Sequence, residues 1–115
     1  MINSVPDLTI IFKALSDPTR LKLFRLLMDG EYCNCELNKV TGLPINLVSH
    51  HLRVLKAAGL VNAVRDSADT RWIHFSINEE NLTKARQAIE LLLDIPMAPR
   101  RTSDCPSSKK RKVIK

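Results

Sequence analysis

Apolar residues recur every three or four positions along most of this chain, which is the spacing of an amphipathic helix. The pattern predicts helices over residues 7–15, 16–29, 31–41, 43–61 and 78–95. Pro18 and Pro44 suit a first helical turn, and Ser16 or Asp17 suits the cap before Pro18. Gly30 and Gly59 suit the position just after a helix. Residues 60–77 hold two runs of β-branched and aromatic side chains around the turn-forming sequence DSADT, which predicts a β-hairpin.

The helix over residues 43–61 has two contrasting faces. At about 100° per residue, Val48, Leu52 and Leu55 fall on one side, with Leu47 and Ala58 further round it, and this side would be buried. The other side carries five side chains that can donate hydrogen bonds, namely Asn46, Ser49, His50, Arg53 and Lys56. Such a basic and chemically varied face favours reading base edges in a major groove. A solvated face on an ordinary amphipathic helix is the alternative.

The predicted hairpin carries Arg65 and Arg71 at its two strand ends. There both side chains would be able to lie along a phosphate backbone. They would equally suit the role of solubilising residues on an exposed hairpin. His74, on the second strand, is expected to be structural.

The other helices carry apolar stripes that are expected to face a core. The predicted stripes are Leu8, Ile11, Phe12 and Leu15, then Leu21, Phe24, Leu27 and Met28, then Leu37 and Val40, and finally Leu82, Ala85, Ile89 and Leu92. Leu91, Leu93 and Ile95 widen the apolar surface of the last helix. Pairing with the first helix across a two-fold axis would cover this surface, and burial within one chain is the alternative.

The 115 residues, 44% of them apolar, suffice for one domain with a small core, which we place at residues 1–95. The formal net charge of +6 is very uneven. Residues 1–99 hold 11 basic and 11 acidic side chains, whereas residues 100–115 hold 7 basic side chains and only Asp104 as an acid. The excess therefore belongs to the tail, residues 96–115, whose composition predicts disorder. Such a tail would suit a sequence-independent clamp on DNA.

Several classes of protein are disfavoured. No apolar run reaches the ~20 residues that span a bilayer, and the N-terminus does not resemble a signal peptide, so a cytoplasmic protein without a membrane partner is expected. Three cysteines, an odd number, do not form a secreted disulfide framework. No nucleophile with a base, phosphate loop or hydrolase metal motif stands out, so an enzyme is not expected.

The predicted order of helix, helix, short helix, second helix of a helix-turn-helix, hairpin and helix is that of a winged helix-turn-helix. Within it, ALSDPTRLKLFRLL at 14–27, SHHLRVLKAAGLV at 49–61 and the hairpin ending DTRWIHFSI resemble the ArsR/SmtB family of metal- and metalloid-responsive bacterial repressors. The resemblance covers about residues 8–95. It implies a mainly α fold with a two-stranded β wing.

The same resemblance implies a homodimer, joined through the first and last helices, that binds double-stranded operator DNA and leaves it when an inducer binds. Two recognition helices would then enter major grooves about 34 Å apart. His51 stands at the family's histidine position. Its place beside the apolar stripe favours a packed or hydrogen-bonded histidine over a base contact.

Cys33 and Cys35 open the predicted third helix. Taken alone, a single C-x-C is weak evidence for a metal site, because small buried cysteines are common. Two residues two positions apart on a regular helix point in different directions, so joint binding of an ion requires an irregular first turn. A helix N-terminus lowers a thiol pKa, which would favour the thiolate that soft ions need.

The segment EYCNCELN resembles the arsenic-repressor element, in which a further cysteine follows three residues after the C-x-C pair. This chain has Asn38 there, which places a three-sulfur site within the helix in doubt. Cys105 is able to reach the pair from the tail, since the ten steps from Ile95 span up to ~35 Å. A small cellular thiol, with Cys105 an idle exposed thiol, is the other possibility.

Zinc-sensing members of the family carry histidine and acidic ligands on the last helix, and residues 78–95 hold no histidine. The resemblance therefore implies As(III) or Sb(III) as the inducer, with Cd(II) or Pb(II) less favoured, and no required cofactor. Binding would distort the start of the third helix at Cys33 and Cys35. The GLP turn joins that helix directly to the recognition helix, so the distortion would reach the recognition helix. A thiol-redox repressor on the same fold, or an arsenic-sequestering or protein-interaction module without DNA binding, are the competing hypotheses.

Overall fold

The computed structural model of the chain describes residues 7–106 and residue 114. Its helices are α1 (Leu8–Leu15), α2 (Pro18–Leu27), α3 (Asn34–Thr41), α4 (Ile45–Ala57) and α5 (Glu79–Leu92). Its strands are β1 (Tyr32–Cys33), β2 (Val61–Arg65) and β3 (Ile73–Ile77). The order confirms the predicted winged helix-turn-helix, with α3 and α4 as the helix-turn-helix and β2 and β3 as the wing.

The sheet has three strands rather than the predicted two. All pairs are antiparallel, in the order β1-β3-β2, and Cys33 lies opposite His74 in the register. Tyr32 and Cys33 were predicted as the start of a helix, and this was wrong. A two-residue strand has no periodicity to detect, and it exists only because β3 supplies partners about forty positions later.

Buried leucines from several elements of the fold form most of its core. The side chains with no more than 1% exposure are Leu23, Leu27, Leu37, Val48, Leu52, Leu55 and Leu60. Val48, Leu52 and Leu55 are therefore confirmed as the inner face of α4, whereas Leu47, which was predicted on the same side, is exposed. The faces predicted for the other helices are partly wrong. Ala14 and Leu23 are buried, whereas the exposed residues include Phe12, Leu21, Met28, Val40 and Leu92. The partners of each helix, which periodicity does not reveal, decide which edge of a broad apolar face turns inward.

Side-chain caps and glycines fix the helix ends. The Asp17 carboxylate accepts hydrogen bonds from the backbone N–H groups of Thr19 and Arg20 at 2.9 and 3.1 Å, which confirms it as the cap of α2. Gly42, with a φ of 73°, ends α3 in the left-handed region. Pro44 was predicted to lie in the first turn of α4, but it precedes the helix as its N-cap.

An exposed apolar surface lies on α1 and at the end of α5. Leu91, Leu92 and Leu93 are between 61% and 77% exposed, and Ile10 and Phe12 are exposed on α1, which packs on α5. The last helix ends at Leu92 rather than at the predicted residue 95. The described residues contain no helix long and apolar enough to cross a bilayer. The lysines at 109, 110 and 112 of the predicted disordered tail lie outside the described residues.

Candidate DNA-binding surface and thiol site

The polar residues predicted to contact DNA lie together on the outer side of α4. Asn46, His50, Arg53 and Lys56 are exposed and Ser49 is half-buried. The inner side of the helix is anchored by Val48, Leu52 and Leu55, all with 0% exposure. His50, Arg53 and Lys56 form no hydrogen bond or ion pair with any described residue, so their donors are available to a ligand.

His51 lies inside the fold rather than on that face. Its side chain is 12% exposed, and its Nδ1 accepts a hydrogen bond from Arg20 Nη1 at 3.2 Å. Arg20 also donates from Nε to the Ala14 carbonyl oxygen at 2.6 Å, so one guanidinium joins α1, α2 and α4. The prediction of a hydrogen-bonded His51 is confirmed. Sequence reasoning missed the role of Arg20, because its partners are distant in the chain.

Both wing arginines already have partners within the hairpin. Arg71 Nη2 lies 2.6 Å from Asp69 Oδ2, and its guanidinium lies over the Trp72 ring at 5.4 Å. Arg65 Nη1 donates to the Thr70 carbonyl oxygen. The hydrogen bond from Arg71 lowers the pKa of the Asp69 carboxyl. A phosphate would therefore have to compete with Asp69 for Arg71.

His74 holds the base of the wing between two carboxylates. Its Nε2 lies 2.8 Å from Asp66 Oδ1, and its Nδ1 lies 3.4 Å from Glu31 Oε2. The hydrogen bond to Asp66 raises the pKa of His74, and the charges of Glu31, Asp66 and Glu36 act in the same direction. The same bond lowers the pKa of Asp66, which also accepts two backbone N–H groups of the loop. His74 thus has the structural role predicted for it.

Cys33 is the N-cap of α3 as well as a residue of β1. Its backbone is extended, with φ −75° and ψ 149°, and its Sγ accepts the Cys35 N–H at 3.3 Å. Glu36 Oε1 accepts the Cys33 N–H at 2.8 Å, which completes a capping box. The irregular first turn that joint ion binding requires is therefore present, because Cys33 stands outside the helix with its sulfur beside Cys35.

The two cysteines differ in burial, and the Cys33 side chain affects the pKa of Cys35. Cys33 is 5% exposed, whereas Cys35 is half-buried. A hydrogen bond with the Cys33 side chain, together with burial, raises the pKa of the Cys35 thiol. The expectation that the helix N-terminus lowers this pKa was wrong for Cys35. The hydrogen bond with the Cys33 side chain outweighs the backbone hydrogen bond at Glu36, which lowers the pKa of Cys35.

Asn34, which separates the two cysteines, joins them to the wing. Its side chain is buried, and its Oδ1 accepts both the Cys33 thiol at 3.3 Å and the Ile73 N–H at 3.2 Å. Ile73 begins β3 and lies opposite Arg65 in the register. Sequence reasoning missed this residue. The partner of Asn34 lies 39 positions away in the chain. The only signal for its role is that Asn34 is a polar residue between two cysteines at the start of a helix.

Asn38, which stands where the resembling element has its third cysteine, is a structural residue. Its Nδ2 donates to the Leu43 carbonyl oxygen and so joins α3 to the turn before α4. Cys105 is exposed in the segment after α5. Within the described part of the chain, no three His, Cys, Asp or Glu side chains are arranged to hold a metal ion. The structure therefore does not bring Cys105 to the pair.

Several curated proteins are similar in sequence to this chain over most of its length. An uncharacterized HTH-type transcriptional regulator of Methanocaldococcus jannaschii is 34% identical over 71% of this chain and 90% of its own length. A cadmium resistance regulatory protein CadC homolog of Staphylococcus aureus is 32% identical over 66% of this chain and 61% of its own length. The arsenical resistance operon repressor of Staphylococcus xylosus is 30% identical over 77% of this chain and 83% of its own length.

A solved structure agrees with these relatives. An ArsR-like transcriptional regulator from Rhodococcus sp. RHA1 is similar with a TM-score of 0.64 and 27% identity, covering 74% of this chain and 77% of that one. The family model described as bacterial regulatory protein, arsR family, matches residues 17–63, which contain α2, the thiol pair and α4. This chain belongs to the arsR family of bacterial regulatory proteins, which are transcriptional regulators.

Proposed function

We propose that this chain is a homodimeric repressor that binds operator DNA through α4 and the wing, and that trivalent arsenic or antimony releases it by binding Cys33 and Cys35. One observation carries the proposal. Cys33 is at once the cap of α3, the first helix of the helix-turn-helix, and the strand partner of the wing. An ion bound there acts at the junction of both proposed DNA-contacting elements.

The donor chemistry fits a thiophilic ion. Two sulfurs that share a hydrogen-bonded turn provide two soft ligands, and trivalent arsenic favours sulfur over nitrogen or oxygen. Each As–S bond replaces one hydroxyl of arsenous acid, which leaves as water with the thiol proton. A third ligand comes from a small cellular thiol or from Cys105. The arsenical repressor of Staphylococcus xylosus supports this inducer.

A cadmium-responsive repressor is the second candidate. The CadC homolog of Staphylococcus aureus favours it. Cadmium commonly takes four ligands and trivalent arsenic three, so the two sulfurs in one place leave cadmium two ligands short and arsenic only one. Arsenic is therefore the better match for this pair.

Release requires that the ion stabilise a shape unable to bind DNA. Bringing Cys35 and Cys33 onto one ion moves both sulfurs, and so disturbs the first turn of α3, in which the Cys33 sulfur accepts the Cys35 N–H. Asn38 and the turn before α4 pass the change to the reading face. A swing from 1:99 to 99:1 in bound operator needs about 5.5 kcal/mol of preference.

Dimerisation through α1 and α5 is part of the proposal. Two reading helices are needed to contact two half-sites, and the apolar surface around Leu91 and Leu92 would be covered by a second copy.

The test uses the DNA upstream of the gene that encodes this chain, labelled for fluorescence anisotropy. The reduced protein is expected to bind this DNA, and micromolar arsenite or antimonite is expected to release it. The double variant Cys33→Ser, Cys35→Ser should bind equally well and resist release. Release of the double variant at wild-type arsenite concentrations would contradict the proposal, as would release by peroxide but not by arsenite. Absence of any shift at low salt would support a module without DNA binding.

A further inference from the structure

We infer that Asn34 is a positioning residue that transmits occupation of the thiol pair directly to the wing. This inference rests on the proposed function, because it concerns how the inducer acts once bound. It adds a second route to the one through the turn before α4. The route consists of the Cys33 sulfur, the Asn34 amide and the start of β3 at Ile73.

The orientation of the Asn34 amide is set by its partners. The Ile73 N–H is a donor only, so the atom that faces it at 3.2 Å must be the amide oxygen. The same oxygen faces the Cys33 sulfur at 3.3 Å, which is a hydrogen bond as long as the sulfur keeps its proton. One acceptor therefore serves two donors, one from the sensing pair and one from the wing.

Inducer binding removes one of those donors. When arsenic takes the place of the Cys33 proton, the sulfur and the amide oxygen face each other as two acceptors. Rotation of the amide would turn Nδ2 toward the sulfur and relieve this contact. The same rotation presents N–H groups to the Ile73 N–H, which then has no acceptor. Asn34 is 6% exposed, so water cannot readily take its place.

The loss at Ile73 affects the proposed DNA contacts of the wing. Ile73 pairs with Arg65 across the sheet, and Trp72 and Arg71 come just before it in the loop. Freeing the start of β3 therefore loosens both wing arginines. Residue 34 would act without touching either DNA or inducer.

The chain offers its own reporter for this route. Trp72 is the single tryptophan, and it adjoins Ile73. The experiment adds arsenite to the reduced full chain and records both the thiolate–arsenic absorbance and Trp72 fluorescence. Asn34→Ala is compared with Asn38→Ala, a matched change in the same helix that cuts the link to Leu43 instead.

Wild type and Asn38→Ala are expected to show both signals. Asn34→Ala should bind arsenite at the same stoichiometry with no change in Trp72 fluorescence. Its ratio of operator affinities without and with arsenite should be at least about fivefold smaller than in wild type, the lower end of ordinary allosteric coupling. Asn34→Asp, which presents an oxygen to the Ile73 N–H in either orientation of its side chain, should also bind arsenite without a change in Trp72 fluorescence.

A full fluorescence response in Asn34→Ala would overturn the inference, as would its loss in Asn38→Ala alone. Hydrogen exchange of the Ile73 amide in the wild-type chain needs no variant. It should become faster on addition of arsenite, and an unchanged rate would also overturn the inference. Failure of the proposed function looks different, because the wild type itself would then show no thiolate–arsenic absorbance or no operator release.

Discussion

At the scale of single residues, polar side chains that each contact two or more partners hold the candidate site together. Cys33 caps a helix and pairs with a strand, Asn34 serves two donors, and Arg20 joins three helices. The sequence predicted that Cys33 and His51 matter, because each stands at a recognisable place in a helix pattern. It did not predict Asn34 or Arg20, because their partners are set by tertiary contacts.

The cap at Cys33 gives a stability prediction. Cys33→Ser keeps a side-chain acceptor for the Cys35 N–H, so its free energy of unfolding should remain close to that of the wild type. Cys33→Ala removes this acceptor and should lower the free energy of unfolding by about 1 kcal/mol. Urea denaturation of the inducer-free proteins measures both. Equal losses in the two variants would show that the sulfur does not act as a cap.

At the scale of elements, the reading helix and the wing differ in how much the sequence reveals. The inner side of α4 repeats every three to four residues, so periodicity identified Val48, Leu52 and Leu55 as buried. The wing depends on contacts between strands and loop. The pairing of β1 with β3, and of each wing arginine with a partner in the loop, could not be predicted from local pattern.

The ion pair at the wing tip predicts an effect on DNA affinity. Asp69→Asn frees Arg71 for a phosphate, so it should tighten operator binding and steepen the salt dependence by about one unit of slope. Arg71→Ala should change both in the opposite direction. Anisotropy titrations at several salt concentrations measure these slopes. Identical slopes in all three proteins would assign Arg71 to the hairpin alone.

The wing base predicts a pH dependence of stability. The pKa of His74 is raised above its usual 6.5, so the stability it contributes is complete below that pH and is lost as pH rises through its folded pKa. The pKa of Asp66 is lowered below 3.8, so its contribution is lost only as pH falls through that lower value. The thermal midpoint of wild type should exceed that of His74→Gln most at about pH 5. A constant difference from pH 5 to 9 would contradict this assignment.

At the scale of the whole molecule, a small leucine-rich core supports an apolar surface that one chain leaves exposed. The sequence predicted this surface from the width of the last helix, and Leu91 to Leu93 are indeed exposed. It also predicted a winged helix-turn-helix domain within residues 1–95. The sequence could not predict which side of each broad apolar helix face is buried, because that depends on how the helices pack together.

The exposed surface predicts the oligomeric state. Leu92→Glu should convert a dimer to a monomer and weaken operator binding by more than tenfold, since two half-sites are no longer held together. Leu21→Glu is the matched control, because Leu21 is an exposed leucine that belongs to α2 rather than to α1 or α5. Sedimentation velocity gives the mass of each variant. A wild-type monomer, or a Leu92→Glu dimer, would contradict the proposed interface.

In the proposed mechanism, one ion on Cys33 and Cys35 changes the affinity of this chain for DNA. The most direct measurement adds arsenite to the operator-bound wild-type protein and follows thiolate–arsenic absorbance and operator anisotropy in one sample. We predict that both signals change together at one arsenic per chain, and that Cys33→Ser and Cys35→Ser each abolish both. Release of operator without the absorbance change, or full release from either single variant, would contradict the account.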